Sequence, residues 1–264
     1  MISKEIKQSL SNSSLIRKMF EEGKRMKKLY GEENVFDFSI GNPSLQPPKE
    51  LLDSLVLHAA EDNVHRYMLN AGYEDVREKV AEFHSQNSDV KLDMSNVIMS
   101  VGAAGGINVV LKAVLDPKDE VIVLAPYFVD YLFYTKNYQG VPVIVQTQKG
   151  TFQLDLDAIS SALTPKTKAI ILNSPNNPTG VIYPEKDLRK LAEILKAHEK
   201  QNGTDVVVLS DEPYNQINYD VEVPNLLNIF DNVIIVNSFS KSLSLPGARI
   251  GYILISPNLK EFAL

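Results

Sequence analysis

The sequence predicts an α/β protein, a three-layer α/β/α sandwich around a mostly parallel sheet. Two observations predict it. Several segments are short, unbroken runs of Val, Ile and Leu, such as EVIVLA at 120–125, KAIILN at 168–173 and NVIIVNS at 232–238. Strands covered on both faces read this way, because neither side of the pleat meets water. These runs also alternate with helix-periodic stretches, the order that builds a parallel sheet with crossover helices. In such sheets ligands bind beyond the carboxyl ends of the strands, so the residues just after each run carry the functional information.

Taken in order, residues 13–30 carry apolar residues at helical spacing, with Gly31 as a stop signal. FDFSI at 36–40 reads as a short strand, broken by the turn-rich GNPSLQPP of 41–48. Helices are predicted over 48–61 and 73–87, divided by the irregular NVHRYMLNAG. Strands follow at 96–101, 120–125, 141–146, 168–173, 205–210, 232–238 and 249–255, with helices over 103–116, 128–137, 154–163 and 185–201. The last of these helices has the strongest periodicity. There is no internal repeat and no low-complexity tract.

Length and composition fit this architecture. The chain has 264 residues, 44% of them apolar and 23% charged, which suits one large domain or two small ones with a packed core. A net charge of -6 argues against a nucleic-acid partner, whose electrostatic footprint is basic. With no cysteine, disulfides and thiolate chemistry are excluded. His58, His65, His84 and His198 show no zinc-binding spacing, so no metal is expected. The opening MISKEIKQSLSNSS lacks the apolar core of a secretory signal, and no run approaches the roughly 18 to 20 apolar residues of a membrane span. The expectation is a cytoplasmic protein with no membrane partner.

The residues after the strands are unusual as a group. VGAAGG at 101–106 opens a helix, and small residues there let backbone N–H groups approach an anion; alone, such a turn serves either a phosphate or only a change of direction. Tyr127 and Phe128 in PYFVDY can stack on a planar ligand, although aromatic residues at a strand end more often belong to the core. SPNNPTG at 174–180 is a rigid polar turn. Asp211, in DEPY, is an acid at the end of a wholly apolar strand, costly unless it meets a cation or donor. Lys241, in SFSKSLSLPGAR, is either a solvated surface lysine or an amine whose pKa falls by desolvation, suited to Schiff-base chemistry. Together these groups match the needs of pyridoxal 5'-phosphate (PLP): an imine-forming amine, a partner for the pyridinium nitrogen, donors for the phenolate oxygen and an anion site.

On these motifs, N-S-P-N-N-P-T-G, D-E-P-Y and S-F-S-K…R, running in order over residues 38–255, the chain resembles the class I/II (fold-type I) PLP-dependent aminotransferases. The resemblance implies the PLP-dependent transferase fold. An N-terminal arm and part of a small domain would occupy 1–45, and a large PLP-binding domain 46–264. It implies that Lys241 carries the cofactor as a Schiff base and shuttles the proton, that Asp211 pairs with the pyridinium N–H, and that Tyr214 and Asn177 bond the phenolate oxygen. Ser238, Ser240, Arg249 and the backbone of Ala103 and Ala104 would hold the phosphate, with Phe128 stacking on the ring. Tyr67 would reach the phosphate of a neighbouring subunit in a homodimer with shared active sites, and Gly41 and Asn177 would contact substrate. Ala104 stands where many members place a hydroxyl, so one phosphate contact is missing. The resemblance also implies a C-terminal truncation, because the chain ends at 261–264, before a complete small domain and its carboxylate-clamping arginine. Such a chain would hold the cofactor and transfer poorly. The implied activity is amino transfer between an L-amino acid and a 2-oxo acid. The alternatives are a PLP-dependent lyase or synthase on the same scaffold, or a non-catalytic PLP-binding fragment.

Overall fold

A computed structural model describes residues 2, 6–7, 14–38, 41–62, 64–219 and 221–260. The chain divides into two compact units, Met1–Gln46 and Pro47–Leu264. In the first, helix α1 (Ser14–Tyr30) ends at Gly31, whose φ of 88° lets its N–H turn back to the Lys27 carbonyl at 3.1 Å. Residues 36–38, expected to begin a strand, are irregular; Phe36 and Phe38 are exposed there, so no apolar face holds an extended segment in place. Residues 39–40 of that expected strand lie outside the described residues.

The second unit is the expected sandwich. Its elements run α2 (Lys49–Ala59), α3 (Glu74–Ser85), β1 (Val97–Ser100), α4 (Gly102–Val114), β2 (Glu120–Ala125), α5 (Asp130–Asn137) and β3 (Val141–Gln146). There follow α6 (Leu156–Ala162), β4 (Thr167–Asn173), α7 (Glu185–Asn202), β5 (Val207–Asp211), β6 (Val233–Ser238), the single turn α8 (Phe239–Ser242) and β7 (Gly251–Ile255). The seven strands form one sheet in the order β1-β7-β6-β5-β4-β2-β3. All neighbours are parallel except β7, which pairs antiparallel with both β1 and β6.

The central strands are buried along their whole length, as their unbroken apolar runs require: every residue of β5 and β6 is buried. Val208 of β5 and Val233 and Ile235 of β6 enter one core layer with Leu188, Leu191 and Leu195 of α7. Their alternates (Val207, Leu209, Ile234, Val236) meet Ile107, Val110 and Leu111 of α4 on the other face. Helix α7 shows how sequence dictates this packing. Leu188, Leu191, Ala192 and Leu195 recur at helical spacing on its buried stripe, each large side chain stabilising by about 1.5–3 kcal/mol on burial. Glu185 and Asp187 complement the dipole of its first turn, and Gly203 closes it in the left-handed region. Among the described residues, no helix is long and apolar enough to cross a membrane.

Candidate active site

Parallel strands β4, β5 and β6 lie side by side and deliver Asn173, Asp211 and Ser238 to one edge of the sheet. Asp211 is buried. Its Oδ2 accepts a hydrogen bond of 2.5 Å from the Tyr131 hydroxyl of α5, while its Oδ1, equally buried, has no partner within the protein. Burial drives the carboxyl up to about 6, with the Tyr131 bond pulling the other way. The same burial, together with the nearby Asp211 carboxylate, raises the Tyr131 phenol well above its ordinary value.

Around Asp211 the chain is fastened by amides. Asn173 Nδ2 donates to the Asp211 carbonyl at 2.8 Å, and Asn173 Oδ1 accepts from the Asn177 backbone N–H at 2.6 Å. One side chain thus ties the polar turn after β4 to β5. Within that turn Asn176 Oδ1 accepts from both the backbone and the hydroxyl of Thr179, at 3.1 and 2.8 Å. The turn presents Asn177, whose Nδ2 donates to the Tyr214 hydroxyl at 3.2 Å. Burial, then the Asp211 charge, raise the Tyr214 phenol, and the Asn177 bond opposes them.

The second cluster forms where β6, β7 and α4 meet. Ser238 ends β6 and Ser240 lies in the turn α8; both are buried. Lys241 is half-buried beside them, its amine held below the ordinary lysine range by desolvation. Gly102 opens α4 with a φ of 68°, and a Cβ there would lie 2.7 Å from Arg249 Nη2, so the guanidinium rests over the first turn that also contains Ala103 and Ala104. Gly251 allows this approach: a Cβ on it would sit 2.5 Å from the Asn237 carbonyl oxygen and 2.8 Å from the Gly102 carbonyl carbon. Tyr134 of α5 feels the charges of both Asp211 and Arg249, so the two clusters share one edge.

Arg249 reaches this edge from the start of β7, not from the end of a strand. Since β7 is the inverted strand, its beginning lies where the other strands finish. Phe128 is half-buried and meets Tyr131 edge to face, ring centroids 5.6 Å apart. Tyr67, on the irregular stretch between α2 and α3, is fully exposed. Gly41 is an exposed residue of the first unit. Three residues of the site carried no role in the sequence reading: Tyr131, Asn173 and Glu212. Asn173 shares the signal that singled out Asp211, a polar residue closing an apolar run.

The donor set fits PLP. A buried carboxylate oxygen without a partner asks for a buried donor, and a protonated ring nitrogen is one. The opened first turn of α4, with its amides, the Arg249 guanidinium and the Ser238 and Ser240 hydroxyls, is a set of donors and positive charge suited to a phosphate. Fold and donor set together have the character of a fold-type I PLP-binding domain. The chain belongs to the aminotransferase class I and II family, which it matches over residues 33–263 and which is PLP-dependent. It is 34% identical over 234 residues to the probable N-acetyl-LL-diaminopimelate aminotransferase of Bacillus subtilis (strain 168), with 88% of this chain and 58% of that one covered. It is 37% identical over 216 residues to the probable aspartate/prephenate aminotransferase of Thermus aquaticus, with 80% and 54% covered. Among solved structures, an aminotransferase from Eubacterium rectale matches with a TM-score of 0.92 at 35% identity, covering 100% of this chain and 68% of that one. Aspartate aminotransferase from Thermus thermophilus with maleate matches with a TM-score of 0.80 at 29% identity, covering 94% and 63%. The chain therefore spans less than two thirds of the length of the curated relatives it matches.

Proposed function

We propose that this chain supplies the cofactor site of a transaminase that moves an amino group between an L-amino acid and a 2-oxo acid. One observation carries the reading above the others: Asp211 keeps a buried, unpartnered Oδ1 at the carboxyl edge of the sheet while Tyr131 occupies its other oxygen. That arrangement disposes a fixed negative charge toward a single cationic donor. PLP, when bound, supplies a carbonyl carbon that accepts the amino group and a protonated ring that takes up the electron pair released at the substrate Cα.

The chain's own residues account for the rest. Lys241 holds the cofactor covalently, and its lowered pKa raises the fraction of neutral amine able to do so. The same amine would carry the proton that leaves the substrate Cα. Asp211 keeps the ring nitrogen protonated. Tyr214 and Asn177 hold the phenolate oxygen, and Phe128 covers the ring. Ser238, Ser240, Arg249 and the amides of Ala103 and Ala104 hold the phosphate. Gly41 and Asn177 contact substrate. The same reading makes the protein a cytoplasmic homodimer in which Tyr67 serves the phosphate of the partner's site.

The test is chemical. PLP is added, the adduct is reduced with borohydride, and peptides are mapped by mass; a pyridoxyl group is expected on Lys241. In a separate, unreduced sample, a 15N-labelled amino acid should pass its nitrogen, slowly, to a 2-oxo acid. A pyridoxyl group on another lysine, or release of ammonia in place of transfer, overturns the reading.

A further inference from the structure

Glu212 takes no part in the roles above, yet it is as buried as Asp211, with 6% exposure. Its backbone N–H donates to the Val236 carbonyl at 2.9 Å, so the β5–β6 ladder continues one residue past β5. Its side chain lies on the Ser210 side of the strand, opposite Asp211, as alternation along a strand requires. Both carboxylate oxygens are engaged there. Ser210 Oγ donates to Oε1 at 2.7 Å and Asn215 Nδ2 donates to Oε2 at 2.5 Å.

The two donors belong to different kinds of structure. Ser210 is part of the rigid central strand β5. Asn215 directly follows Tyr214 and opens the short 3-10 turn Asn215–Ile217. Glu212 therefore bridges a fixed element and the turn that presents Tyr214. A carboxylate suits the position because it accepts two hydrogen bonds and brings no donor to compete with Ser210 and Asn215.

We propose that Glu212 is a positioning residue for Tyr214: by gripping Asn215 from the end of β5, it fixes the phenol where it meets Asn177. The proposal rests on the reading in which Tyr214 and Asn177 share the cofactor's phenolate oxygen. It predicts that loss of the Glu212–Asn215 link acts on the cofactor through Tyr214 alone, although neither residue touches the cofactor.

The experiment follows the absorbance of the PLP adduct of the full chain across pH, since its midpoint reports the hydrogen bonds at the phenolate oxygen. Tyr214→Phe sets the reference shift. Glu212→Ala and Asn215→Ala are expected to move the midpoint in the same direction, and Glu212→Ala combined with Tyr214→Phe should move it no further than Tyr214→Phe alone. Glu212→Gln should restore most of the wild-type midpoint, because a turned-over Asn215 amide offers its Oδ1, which has no partner in the present structure. A wild-type midpoint in Glu212→Ala, or shifts that add in the double variant, overturns the proposal. If Glu212→Ala does not fold, Asn215→Ala decides alone: a wild-type midpoint there is fatal. Failure of the wild type itself to form an adduct on Lys241 is a separate outcome, which sinks the functional reading and this proposal with it.

Discussion

Replacing Tyr131 with phenylalanine removes one hydroxyl and leaves the ring packed against Phe128, so it isolates a single interaction, the bond to Asp211 Oδ2. Burial holds the Asp211 carboxyl at about 6 against an ordinary 3.8. Ionising it in the folded protein therefore costs about 3 kcal/mol more than in the unfolded chain. Because the folded value is the higher one, native protein holds the proton longer. Stability is accordingly greatest below the unfolded value and falls as pH rises through 3.8 toward 6. The Tyr131 bond limits this loss, since it favours the ionised form. The Tyr131→Phe variant leaves both oxygens of a buried carboxylate without a donor. A charge-assisted bond is worth about 1.5–3 kcal/mol and a neutral one about 1. Urea unfolding of the cofactor-free protein should show a loss of about 2 kcal/mol at pH 8 and about 1 kcal/mol at pH 4, where Asp211 is largely protonated. Comparing variant with wild type at each pH cancels the other carboxylates, Glu212 included. Asp211→Asn should abolish the pH dependence of the difference. Equal losses at both values would refute the argument, because the bond would then be indifferent to the charge on Asp211.

Further outcomes are expected. His84 is desolvated to about 4 while its Nε2 meets the Tyr252 hydroxyl at 2.9 Å; the unfolded chain protonates first, so stability is lost as pH falls from 6.5 toward 4. His84→Gln should recover about 2 kcal/mol of that loss by chemical denaturation, the ring's partial exposure keeping the figure below the full value, and an unchanged pH profile would count against it. Gly251→Ala places a Cβ against three backbone atoms that cannot rotate away, so thermal unfolding should report a loss of about 3 kcal/mol or no folded protein; wild-type stability would show the approach to be slack. Mixing Tyr67→Phe with Lys241→Ala protein should regenerate some sites carrying neither change, read as recovered PLP affinity. Affinity unaffected by mixing would exclude a shared site.

Much of this arrangement was legible in the sequence, for identifiable reasons. Strands buried on both faces cannot alternate polar and apolar residues, so 168–173 and 232–238 announce themselves, and the polar residues that close them stand out. Helix α7 was equally plain from its periodic leucines. Residues 36–38 misled because FDF alternates like a strand, but a pattern of alternation forms no strand without an apolar face to cover it. Tyr131 was hidden for another reason: DYLFYTKN places three aromatic residues within one short helix, and no periodicity distinguishes the one that turns inward. Asn173 and Glu212 lay in motifs already singled out. Their roles depend on which strand neighbours which, and chain order does not reveal that β4, β5 and β6 are adjacent.

Strand direction explains why one edge can gather residues from so many segments. Four parallel neighbours, β2, β4, β5 and β6, end on the same edge. Backbone strands about 4.8 Å apart place successive closing residues within one ring-width of each other, a spacing suited to grasping a planar ligand at several atoms. A fully parallel sheet would offer only chain that is leaving the edge. Inverting β7 between β1 and β6 brings chain arriving at the edge, and with it Arg249, directly over the start of α4. In the proposed cofactor site the guanidinium and the helix amides would then serve one anion together, which neither a strand end nor a helix start achieves alone. The cost of that inversion falls on Gly251, where a Cβ would meet backbone, and on Gly102, where it would meet the Arg249 guanidinium. The residues that carry no chemistry are therefore the ones that let the phosphate cradle close.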